Sequence, residues 1–176
     1  AGRGLQQTYR FSVPEMLMVV TVQPDASTHI AYDITFQNQG SPIDVVDVGT
    51  PNDDYDLSRI EASVDGEPVY DIRESTYIDV GVEVHLGAYA IPPGESGTLH
   101  LEFVSPDMVY ADTTNEENAS LQITPTWFDS ELIQSPGNIE VRVRTLPGVA
   151  PDNVLYQDEP FTGKYHDFKA DGTYHC

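Results

Sequence analysis

HIAYDITFQN, residues His29 to Asn38, is the stretch that decides the fold. Ile30, Tyr32, Ile34 and Phe36 fall on one side of an extended chain. Ala31, Asp33, Thr35 and Gln37 fall on the other. This is period-two alternation in β-favouring residues, closed by Gln39-Gly40-Ser41-Pro42 as a turn. Such a strand needs an apolar partner across a core and hydrogen-bonded neighbours at its sides.

The rest of the chain supplies runs of the same kind. Met16 to Val22 is almost continuously apolar and predicts a strand buried on both faces. Ile43–Val48, Ile60–Val64, Pro68–Ile72 and Tyr77–Leu86 follow. Asp65-Gly66 and Pro92-Pro93-Gly94 supply turn signals between them. Thr98–Val104 alternates again with Leu99, Leu101 and Phe103 inward, and Ile139, Val141 and Val143 alternate later. The expected fold is all-β: an antiparallel β-sandwich of about nine strands. Residues 1–12 read as a flexible arm, residues 13–160 as the sandwich domain, and residues 161–176 as a tail or small hairpin. One domain is what 176 residues suggest.

Charge bounds the partners. Asp and Glu number 29 against 8 Lys and Arg, a formal −21, so no basic stripe exists for nucleic acid. An anionic membrane surface is disfavoured by the same sign. The acidity reads as a solvated repulsive surface, as calcium binding by carboxylate clusters, or as adaptation to salt. The single cysteine, Cys176, allows no internal disulfide. No run reaches the roughly 18 apolar residues that span a bilayer, so any membrane anchor would lie outside this sequence. The small first residue, Ala1, suits signal cleavage as well as a trimmed start.

Two stretches carry a resemblance. They are Ile30–Ser41, IAYDITFQNQGS, and Ile91–Phe103, IPPGESGTLHLEF. Together they resemble the paired strands of Ig-like domains in bacterial and archaeal cell-surface proteins. The hairpin formed by Met16–Phe36 is similar to extracytoplasmic domains of bacterial membrane proteins. The resemblance implies an Ig-like sandwich outside the cytoplasm. It covers about half the chain, and its motifs belong to turns and core, so it transfers no catalytic residue.

Candidate chemistry is sparse. Asn52, Asp54 and Asp56 place oxygen ligands at alternate positions, the opening of an EF-hand-type calcium loop. Leu57 stands where that loop needs glycine and Ser63 where it needs glutamate, so a looser calcium site is the reading left. Asp112, Asn115, Glu116 and Glu117 form a second acidic cluster. His85 and His100 share the outward phase of their strands and would face each other if the strands lay in one sheet. No G-x-S-x-G, H-E-x-x-H or phosphate loop occurs, and no enzyme activity is expected. Trp127, between Pro125 and Phe128, reads either as a core anchor at a strand end or as an exposed ring that stacks on a sugar. Asn118-Ala119-Ser120 is a glycan acceptor sequon.

The functional expectation is a non-catalytic extracellular structural or interaction domain. It would serve as a cell-surface ectodomain or as a subunit that self-associates through edge strands. The alternative is a calcium-dependent carbohydrate-binding module.

Overall fold

The computed structural model describes residues 8–135, 137–150, 153–156, 159–160 and 173–175. The chain is all-β, as the alternation requires. A seven-stranded sheet contains, in spatial order, β14 (Thr173–His175), β11 (Asn138–Arg144), β1 (Phe11–Val22), β2 (Thr28–Asn38), β8 (Ser96–Ser105), β4 (Glu61–Val64) and β5 (Glu67–Val69). A three-stranded sheet contains β3 (Val45–Gly49), β7 (Gly81–His85) and β6 (Asp71–Glu74). Two small ribbons complete it: β9 (Val109–Ala111) with β10 (Ala119–Leu121), and β12 (Leu155–Tyr156) with β13 (Glu159–Pro160).

β2 organises the core as its pattern demands. Ile30, Tyr32, Ile34 and Phe36 are fully buried, while Asp33 is exposed. β8 lies antiparallel beside it and sets Leu99 opposite Ile34, Leu101 opposite Tyr32 and Phe103 opposite Ile30. All three are buried. Val46 and Val48 of β3 and Val82 and Val84 of β7 join the same apolar cluster. The small sheet therefore packs against the inner face of the large one.

Several expectations need correction. Fourteen strand segments stand among the described residues instead of about nine, because single runs are split by turns. The sheet is not purely antiparallel: β1 pairs antiparallel with β2 but parallel with β11. Alternation gives the face of a strand and not its direction, so this pairing left no signature in the residues. Met16–Val22 is not buried on both faces. Met16, Met18 and Val20 point inward and Leu17 and Val19 lie half-buried on the outer face. Tyr77–Val80 is not strand, and pairing begins at Gly81, where a Cβ would collide with the Val48 carbonyl.

The arm assigned to residues 1–12 also needs correction where it is described. Phe11 and Ser12 are buried at the start of β1, and Tyr9 packs against the core. Thr8 and Arg10 accept backbone hydrogen bonds from Ser41 and Gln39. Tyr9, Phe11 and Val13 have their own inward alternation, interrupted by a register shift between Ser12 and Glu15 that contains Pro14. Proline cannot donate to a ladder, so it sits where the ladder breaks. Residues 1–7 lie outside the described residues, and so does most of the 161–176 tail. Thr173–His175 pairs with β11 and not with a strand of that tail.

The two stretches that carried the resemblance meet at one end of β2 and β8. Asn38 donates to the carbonyls of Ser41 and Ile91 and accepts from Gly40. Its backbone N–H donates to the Glu95 carbonyl, and Gly94, at φ +84°, donates back to Asn38. A buried amide thus closes two turns at once. Among the described residues no helix is long and apolar enough to cross a membrane.

Phe36→Ala should cost roughly 3–5 kcal/mol in denaturant unfolding, as for other buried phenylalanines. Ile139→Ala, at a site 53% exposed, should stay within about 0.5 kcal/mol of the parent. Equal losses at the two positions would show that the inward face has been wrongly identified.

Candidate functional site

Residues 122–129 follow no regular structure and cross from one sheet to the other. Thr126, buried, is the clasp. Its backbone N–H donates to the Tyr32 hydroxyl of the large sheet at 3.0 Å. Its own hydroxyl accepts from the Gly49 N–H of the small sheet at 2.9 Å. Two residues on, Phe128 packs edge-to-face on Phe11 and Phe36, with ring centroids 5.6 and 5.5 Å away. Thr126 and Phe128 point inward, so Trp127 between them points outward and is 77% exposed. The core-anchor reading of Trp127 is therefore wrong. The short alternation Thr126-Trp127-Phe128 held the signal.

Beside this strap runs a groove of about 1210 Å³. Phe11, Phe36 and Ile43 contribute apolar floor, and Trp127, Tyr77 and Tyr110 are exposed aromatic rings along it. Its lining carries five carboxylates, Asp47, Asp79, Glu83, Asp107 and Asp129, and no Lys, Arg or His among the described residues. Glu83 is held below the usual carboxylate range, chiefly by its hydrogen bond with His85. It therefore stays ionised at neutral pH.

β3 gives the groove a second feature. The Leu86 N–H donates to the Asp44 carbonyl and the Thr50 N–H to the Val80 carbonyl. These bonds fix the phase of the β3–β7 ladder. Even-numbered residues of β3 bond β7, and Val45, Asp47 and Gly49 turn their backbone groups the other way. Gly49 uses its N–H on Thr126. Val45 and Asp47 present theirs to the groove, which both residues line. Among the described residues β3 is the edge of its sheet.

The other sequence candidates are placed as follows. Asn52 is turned inward: its amide donates toward the Pro106 carbonyl, and its oxygen accepts from Ser105 and Asp54. Asp56 caps the short turn Leu57–Arg59, accepting from the Ser58 N–H and hydroxyl. Asp54 is exposed. Asp112 accepts from Thr114, Asn115 and Ser120 within its own loop. Among the described residues no group of three or more His, Cys, Asp or Glu is gathered to hold a metal ion. His85 and His100 do not face each other, because β7 and β8 lie in different sheets. His100 instead contacts Asp33 at 2.8 Å and Glu102 at 3.7 Å, and His29 lies 3.5 Å from the same Glu102 oxygen. Asn118 is exposed.

No protein-family model and no curated protein matches this chain. Solved structures do. Yeast LTA4 hydrolase in complex with bestatin overlaps 99% of this chain with a TM-score of 0.54 at 12% identity. Native leukotriene A4 hydrolase from Saccharomyces cerevisiae overlaps 94% with a TM-score of 0.52 at 14% identity. An M1 zinc metallopeptidase from Deinococcus radiodurans overlaps 81% with a TM-score of 0.46 at 17% identity. This chain spans 28%, 26% and 34% of those three chains respectively. The likeness is one of fold, and the fold is one found within enzymes.

The clasp can be tested in two ways. Tyr32→Phe leaves the buried Thr126 N–H without its acceptor and should cost about 1–3 kcal/mol. It should also loosen Trp127, read as a fall in fluorescence anisotropy. Burial raises the Tyr32 phenol to about 12, from 10.0. The unfolded chain releases this proton first as pH rises, so stability should hold below pH 10 and fall between 10 and about 12. The fall should be shallower in Tyr32→Phe. Some should persist, because Tyr9 and Tyr55 are raised as well, each chiefly by burial.

Proposed function

We propose that this chain is a non-catalytic interaction module that holds a polypeptide segment in the groove beside Trp127. The observation that carries the reading is the clasped strap. Thr126 and Phe128 are fixed inward, and the one tryptophan of the chain is held out over an apolar floor. An exposed, backbone-anchored indole loses little freedom on binding and buries a large area, which is why tryptophan dominates interface hot spots. The fold supports a modular role, since it makes up about a quarter of a hydrolase chain rather than the whole of one. The exposed Asn118 sequon supports a setting outside the cytoplasm, at a cell surface.

A second reading is carbohydrate binding, with or without calcium at the Asn52–Asp56 loop. Trp127 and Tyr77, both about three-quarters exposed, favour it, because sugar faces stack on such rings.

Trp127 is the sole tryptophan, so its fluorescence reports the groove directly. A random-sequence peptide mixture should shift and quench this emission with saturation, and neutral oligosaccharides should not. In calorimetry, Trp127→Ala should weaken peptide binding roughly 30-fold, the loss of a hot spot of about 2 kcal/mol. Saturable binding of oligosaccharide but not peptide would replace this reading by the second. Calcium-dependent melting would then assign the acidic loop to it.

A further inference from the structure

We infer that the segment bound in the groove is an extended, lysine- or arginine-bearing strand that adds to the free edge of β3. This deepens the reading above and rests on it. Two independent observations point to such a ligand.

The first is backbone. Val45 and Asp47 turn their N–H and C=O groups away from β7 and toward the groove. The next residue in the same phase, Gly49, has its N–H taken by Thr126. The strap thus covers one end of this edge and the Ile43–Ile91 bridge closes the other, so that among the described residues Val45 and Asp47 stay open between them. An unpaired strand edge is a template for an added strand, whose main-chain hydrogen bonds give affinity irrespective of sequence. In most proteins a lysine or a covering loop blocks such an edge. Here the edge carries the half-buried Asp47, which accepts from Ser75 and brings no positive charge.

The second is charge. Asp47, Asp79, Glu83, Asp107 and Asp129 line the groove, and no basic residue among the described lining answers them. A strand added to β3 sends alternate side chains to opposite faces. One set would descend on the apolar floor of Phe36 and Ile43. The other would rise past these carboxylates and the faces of Trp127 and Tyr77. A cation suits both: it pairs with the carboxylates and binds the aromatic faces by cation–π attraction. An acidic strand would meet repulsion at every alternate position.

The test uses the full chain and three end-blocked peptides of equal length. One alternates lysine with valine. One has glutamate in place of lysine. The third keeps the lysines but is N-methylated at alternate backbone nitrogens, so its charge is unchanged and its strand pairing is lost. The lysine peptide should quench Trp127 with saturation and weaken as salt rises. N-methylation should reduce affinity at least tenfold, and the glutamate peptide should not bind. In the protein, Asp79→Asn with Asp107→Asn should weaken the lysine peptide several-fold. Asparagine tolerates the φ of +54° at position 107, so this variant keeps the loop. Val45→Pro, which removes an edge N–H, should weaken it further. Equal binding of the two lysine peptides would show attraction to a chain of charge −21 and would overturn strand addition. Binding of the glutamate peptide at comparable strength would overturn the charge argument. In either case, saturation by random peptides would leave the groove reading standing. If no peptide of any kind perturbs Trp127, the groove reading itself fails.

Discussion

Three phenylalanine rings from three distant parts of the chain hold this structure together. Phe11 opens β1, Phe36 lies near the end of β2, and Phe128 belongs to the strap. Each meets the other two edge-to-face, with centroids 5.3 to 5.6 Å apart. Such a trio satisfies the ring quadrupoles pairwise, each edge set toward a neighbouring face. It also ties the N-terminal strand and the strap to β2, whose inner face is wholly buried. The groove exists because Phe128 is held here and Thr126 is held by Tyr32. Without those anchors the strap would collapse onto the apolar floor and take Trp127 with it.

Among the described residues the seven-stranded sheet is covered on one side only, and its outer face shows how that is tolerated. Leu17, Val19 and Ala31 are half-buried there, with no overlying element among the described residues. Their neighbours are long or polar. Arg142 pairs with Glu140 at 2.7 Å, Thr35 with Thr98 at 3.0 Å, and His100 with Asp33. These cross-strand and same-strand contacts lie over the apolar stems and keep water-exposed apolar area small. The alternation is therefore kept across the sheet even where hydropathy alone suggested burial on both faces. Met16–Val22 misled because a central strand flanked by long polar side chains can carry aliphatic residues outward at little cost.

The core was legible because period two is a local signal. Ile30 to Phe36 and Leu99 to Phe103 state their inward faces in seven and five residues, and the structure obeys them. The buried Asn38 was legible only as a turn signal. Its role as the amide that closes two turns needs two stretches more than fifty residues apart. Directions of strands, and hence the parallel β1–β11 pair, are non-local and had no mark in the residues. The exposed tryptophan was legible in principle, since Thr126 and Phe128 share a phase that Trp127 does not. A lone tryptophan beside proline and phenylalanine nevertheless resembles a core anchor, and only the Tyr32–Thr126 bond decides which way it faces. The calcium-like spacing at Asn52, Asp54 and Asp56 shows the opposite risk. Two of those three side chains serve the turn and the neighbouring strand, the ordinary employment of Asx residues in loops.

Charge distribution links the stability of the fold to the groove. A net −21 spread over a small domain opposes compaction by self-repulsion, and only a well-filled core offsets it. That core is continuous from β5 to β1 and from β3 to β7, with Tyr32, Phe36 and Met18 among its largest fully buried side chains. The groove is where this repulsion is focused, because carboxylates there line a low-dielectric wall instead of standing alone in water. Field lines from such a cleft reach into solvent and raise the encounter rate of a cationic partner. A cation seated there would relieve part of that repulsion. The proposed binding would therefore raise the stability of the fold through the same charges, as for any ligand that binds only the folded state.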